Sequence, residues 1–153
     1  MALSGPRLRL YIDGTDAAAD ELREIGERAR DAKPVLRVIQ GLMAKAAREQ
    51  FESEGERGGL KWEPDSPRWI ERKLYHHWAA DTEHRTGDLA ASLMAATSGG
   101  NAIRRLSKQS TTYGTRLFYA QFQGHKRQLL RVTLHDADDW AERMVDWILS
   151  GKV

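Results

Sequence analysis

One amphipathic run dominates this chain. Val35, Val38, Ile39, Leu42, Met43, Ala46, Ala47 and Phe51 recur at steps of three and four residues, the spacing that gathers side chains on one face of an α-helix. Pro34 falls in its first turn, where a missing N–H costs nothing, and Gly55, Gly58 and Gly59 stop it. A helix over 35–52 is therefore the strongest element the sequence predicts.

Weaker patterns surround it. Leu8, Leu10 and Ile12 alternate as in a short half-buried strand, and Leu22, Ile25 and Ala29 mark a charged helix. Asp65-Ser66-Pro67 begins another helix, with Trp69, Ile70, Leu74 and Trp78 as its packing residues. Thr86 caps a short helix whose apolar side is Leu89, Leu93 and Met94, and Ser98-Gly99-Gly100-Asn101 ends it. Residues 103–106 and 110–113 read as the strands of a hairpin, 117–123 as a strand or one helical turn, and 129–133 as a further strand. Asp136 caps the last helix, with Ala137, Trp140, Ala141, Met144, Val145 and Ile148 on its buried side before Gly151. The fold class expected is α+β: several helices, including the long one at 35–52 and a C-terminal one at about 136–149, packed on a small, mainly antiparallel sheet. One domain spans 1–153, with a mobile loop at about 53–65 and a basic hairpin region at about 99–131.

Charge is distributed unevenly. The formal total is +2, yet residues 90–134 hold seven bases and no acid, whereas 136–150 hold five acids and one base. Such polarity suits contacts between copies or an anionic partner, although single charged side chains are often only solvated. The lack of cysteine removes disulfides and thiolate metal sites. The first eleven residues contain no apolar run of signal-peptide or membrane-span length, so a cytoplasmic protein is expected.

Chemistry-bearing patterns are weak. The glycines at 55, 58 and 59 do not lie between a strand and a helix as a phosphate loop would, and no Gly-Lys-Ser or Gly-Lys-Thr occurs. His76, His77 and His84, near Asp81 and Glu83, lack a metal-site spacing. Ser92, Ser98, Ser107 and Ser110 lack a nucleophile-elbow context, and Asp136, Asp138 and Asp139 suit a helix start better than paired acid–base chemistry. No enzyme activity, cofactor or metal is expected. Trp62 reads either as core packing or as an aromatic anchor for a partner.

Taken in order, the small motifs resemble the phage virion morphogenesis family, the neck, tail-completion and head–tail joining proteins of tailed phages. Phe51, Gly55, Gly59 and Trp62 match its helix end and glycine–tryptophan loop; Lys73 matches a basic position; Thr86, Gly87, Leu89 and Ser92 match a helix start. Tyr113-Gly114-Thr115 is similar to its strand entering a glycine turn, and Tyr119-Ala120, Phe122 and Gly124 to its tyrosine–alanine segment. The likeness covers about 35–150, and departs from the pattern at His125-Lys126 and Gln128-Leu129. It implies a structural protein of the virion neck or tail, made in the host cytoplasm. It also implies self-assembly into a hexameric or dodecameric ring, joining head-side connector or portal-associated proteins to tail terminator or tail-tube proteins, with non-specific contact to packaged DNA and no membrane. Trp62, Lys73, Arg104, Arg105, Arg116, Lys126 and Arg127 are the expected contact residues. The alternative is a basic nucleic-acid-binding module, in which Arg104, Arg105, Lys108, Arg116, Lys126, Arg127 and Arg131 meet phosphates beside the rings of Tyr113, Tyr119 and Phe122.

Overall fold

The computed structural model describes residues 14–77 and 87–153, with the backbone alone at 125 and 126. The expectations for residues 8–12, for Trp78, Asp81, Glu83, His84 and Thr86, and for the Lys126 side chain lie outside the described residues. In chain order the elements are α1 (Thr15–Arg30), α2 (Lys33–Glu52), a 3-10 turn (Glu56–Gly58), α3 (Pro67–Tyr75), α4 (Asp88–Met94), β1 (Ala102–Leu106), β2 (Thr111–Thr115), α5 (Ala120–Lys126) and α6 (Leu134–Ser150). This is the expected α+β architecture, with helices around one antiparallel two-stranded sheet.

The predicted long helix is α2, and it is central to the fold. Helices α4 and α6 and both strands pack on it, while α1 packs on α6. Two apolar clusters lie along its length. Ala47 and Phe51 join Trp62, Leu89, Ala90, Leu93 and Leu129 in one. Val35, Leu36 and Ile39, with Ala32, are covered by Leu106, Trp140, Met144 and Trp147 in the other. Each large side chain so buried contributes about 1.5–3 kcal/mol. Two buried glutamines on α2 bind backbone that the apolar pattern does not explain. Gln40 donates to the Arg105 carbonyl at 3.0 Å and to Thr111 Oγ1 at 2.6 Å, and Gln50 donates to the Gln128 carbonyl at 2.7 Å.

The hairpin pairs Ala102 with Thr115 through to Leu106 with Thr111. Ala102, Arg104 and Leu106 turn toward the helices, and Ile103 and Arg105 turn away. Residues 117–123, open between strand and helix in sequence, lead into α5.

Four expectations are corrected. Residues 129–133 form no strand; Leu129 is buried in the core as irregular chain, and the Gln128 carbonyl is held by Gln50 rather than by a strand partner. Asp136 does not cap α6. Thr133 is the N-cap, accepting from the Asp136 amide at 3.1 Å, and the Asp136 carboxylate accepts the Thr133 amide at 2.8 Å, a reciprocal capping box. Leu74 is exposed rather than packed, because α3 turns Trp69, Ile70 and Lys73 inward. On α6, Ala137, Ala141 and Val145 are exposed and the packed side is Trp140, Met144 and Trp147.

Candidate functional site

The sequence motifs converge on internal supports. After α2, the chain reverses at Gly55, whose φ of 90° belongs to the left-handed region open to glycine. A Cβ there would stand 2.4 Å from both the Leu60 carbonyl oxygen and Trp62 Cδ1. That closeness lets the Trp62 amide donate to the Glu54 carbonyl at 2.6 Å and brings its ring edge-on to Phe51, with centroids 5.2 Å apart. Trp62 is only 5% exposed, so its indole packs the chain's own core. The 53–65 segment carries the 3-10 turn and these tight backbone bonds.

Lys73 is the deepest side chain of α3, at 1% exposure. Its Nζ lies 2.6 Å from Asp65, whose other carboxylate oxygen accepts from Arg127 at 3.0 Å. Arg127 also donates to the Glu63 carbonyl at 2.8 Å. Burial works to raise the Asp65 pKa, but hydrogen bonds from Lys73 and Arg127 outweigh it and hold the carboxyl below its ordinary value. One acid between two bases thus ties α3 to the end of α5.

A second junction joins the 3-10 turn to α2 and α6. Arg57 donates to Glu49 at 2.8 Å and to Asp136 at 2.5 Å. Burial disfavours its charge, and the two carboxylates more than restore it, leaving its pKa above the ordinary value. Burial similarly opposes ionisation of Asp136, yet bonds from Arg57 and Thr133 keep that carboxyl low.

Arg104 is 8% exposed. Its guanidinium donates to the carbonyls of Ala95, Ile103, Gly114, Ser92 and Leu93 at 2.7–3.1 Å and lies 3.4 Å over the Tyr113 ring. Tyr113 in turn donates its hydroxyl to the Leu93 carbonyl. Burial lowers the Arg104 pKa and raises that of Tyr113, each acting against the other's shift. This fork ends α4, because the last helical carbonyls need donors and Arg104 supplies them. Ser92 completes the joint, donating to Thr115 Oγ1 at 2.8 Å.

The expected contact residues therefore divide. Trp62, Lys73 and Arg104 are turned inward, and Arg127 is half-buried in an ion pair. Arg105 and Arg116 are exposed, as are Lys108 and Arg131. Of the motif residues, Phe51 and Leu89 are buried core, Gly59 and Gly87 adopt positive φ, and Gly114 supplies its carbonyl to Arg104. Tyr119 packs at the core's edge, and Gly124 lies exposed on α5. Sequence reasoning missed the inward role of Arg104, although its strand phase with Ala102 and Leu106 carries the signal. Lys73 carries the same signal, three and four residues after Ile70 and Trp69. Among the described residues no group of three histidines and carboxylates could hold a metal ion, and His76 and His77 are exposed.

The fold and surfaces define an α+β domain built on a central helix, with a basic hairpin and an acidic terminal helix. No family model, curated protein or solved structure matches the chain.

Proposed function

We propose that this protein is a non-enzymatic structural component of a tailed-phage virion, acting in tail completion and head–tail joining as a neck or tail-end ring. One observation carries the reading: several of the positions that resemble the family's motifs close this fold. Gly55 admits Trp62 onto Phe51, Leu89 and Ser92 join α4 to the core and to β2, Lys73 anchors α3, and Gly114 receives Arg104. A motif set spent on internal supports suits a protein whose work is to present surfaces. Its partners are then further copies of itself, head-side connector proteins and tail terminator or tail-tube proteins, in the host cytoplasm and then in the virion.

The experiment is to incubate the full chain with purified head and tail particles, and to measure bound mass by light scattering and position by electron microscopy. Density at the head–tail junction is expected. A chain that joins neither particle overturns the reading. A nucleic-acid module remains the alternative because Arg105, Lys108, Arg116 and Arg131 are exposed; tight DNA binding that falls steeply with salt, without particle capture, would favour it.

A further inference from the structure

We propose that the outer face of α6 and the outer face of the hairpin are the two halves of a head-to-tail contact between copies of this chain. For its biological setting the contact rests on the virion reading above.

On α6, Ala137, Ala141, Val145 and Leu149 follow one another at four-residue steps, and all are exposed. Leu134, 85% exposed, stands at the head of the helix beside them. The neighbouring row, again at four-residue steps, is Asp138, Glu142 and Asp146. All three are exposed, and none forms an ion pair with a described residue. Like charges at this spacing repel along the helix. Arg143, paired with Asp139, also interacts through space with Glu142 and Asp146, but one guanidinium among four carboxylates leaves an apolar strip edged by net negative charge. A two-fold pairing of α6 with α6 of a second copy would set acidic rows against each other, so it does not fit.

The hairpin offers the complement. Arg105 points outward opposite Thr112, and Ile103 opposite Gly114. No atom lies within 4 Å of where a Gly114 Cβ would stand, so this shelf is open. Beyond the strand, Arg116 is exposed, and so is Phe118 in the following turn, at 77%. Neither arginine side chain has an acidic partner among the described residues. The face is apolar and aromatic with positive charge, matching α6 in both respects.

Both elements pack their inner sides on α2, so their outer faces turn away from it and do not meet within one chain. The occupant of each is the opposite face on the next copy. Such a heterologous contact propagates, giving a ring where the rotation closes and a filament where it does not.

One-sided blocks test it. Ala141→Lys with Val145→Lys blocks the helix face by setting positive charge against the hairpin arginines, and Arg105→Ser with Arg116→Ser removes the positive charge of the hairpin face. All four positions are exposed, so the folded monomer is retained, checked by circular dichroism. Leu149→Lys, in the last turn, serves as a second helix block. By multi-angle scattering, the unmodified chain at about 100 µM is expected above monomer mass at low salt and to dissociate as salt rises. Each blocked chain alone is expected to associate at least roughly tenfold more weakly. An equimolar mixture of the two is expected to stop at dimers, because one intact helix face meets one intact hairpin face. A monomeric unmodified chain, a mixture that stays monomeric, or a blocked chain that assembles normally would overturn the proposal. Particle capture without self-association removes this contact and leaves the virion reading; self-association without capture does the reverse.

Discussion

Gly55 and Gly59 both adopt positive φ, but only Gly55 is also enclosed. Gly55→Ala is expected to lower stability by about 2–4 kcal/mol, since a methyl would strike the Leu60 carbonyl and the Trp62 ring. Gly59→Ala, with open space around it, is expected to lose only about 1 kcal/mol. Denaturant midpoints of the two variants compare them directly, and equal losses would contradict the close approach. Asp65 and Asp136 make a second residue-scale prediction. Both carboxyls lie below the ordinary 3.8 in the folded chain. A lowered folded pKa adds stability that is complete above the unfolded value and is lost as pH falls through the folded one. The unmodified chain is therefore expected to lose stability as pH drops below 3.8, and Asp65→Asn to flatten that loss while being less stable near neutrality. An unchanged acid slope in the variant would show that Asp65 does not carry the effect.

Elements with strong local signals are legible in the sequence. The apolar period and Pro34 mark α2, turn residues mark the hairpin, and Gly151 marks the end of α6. What remained hidden depends on neighbours far along the chain. Residues 129–133 have strand-like composition, yet a strand needs an edge to pair with, and this stretch instead places Leu129 between α2 and α4. On α6 the apolar arc is wider than the area α1 and α2 cover, so sequence period alone did not tell packed Trp140 and Met144 from exposed Ala141 and Val145. Lys73 and Arg104 read as partner-contact bases because their internal carboxylate and carbonyl partners come together only on folding. The capping box offers a test at this scale. Thr133→Ala is expected to cost about 1 kcal/mol. Asp136→Ala is expected to cost more, since it also releases Arg57. Thermal unfolding of both variants would rank them, and the opposite order would refute the double role of Asp136.

Considered whole, the molecule is secured unevenly around α2. Its core, hairpin and α4 are interlocked by Arg104, Gln40 and Gln50. Helix α1 is different, for 15–24 are all exposed. It is moored near its last turn, where Arg28 donates to the carbonyls of Ile148 and Leu149 and its own carbonyl accepts the Trp147 indole. Unsupported helices of this length are marginal in water, since each added turn barely repays its ordering. The amides of its first turns are expected to exchange hydrogen for deuterium within seconds, while central amides of α2 exchange only when the entire domain opens. Uniform protection across both helices would contradict that. Heating should therefore unwind α1 gradually through its exposed turns at 15–24, giving a sloping helical signal ahead of one sharp global transition, so that part of this chain melts as a peptide does and the rest as a protein.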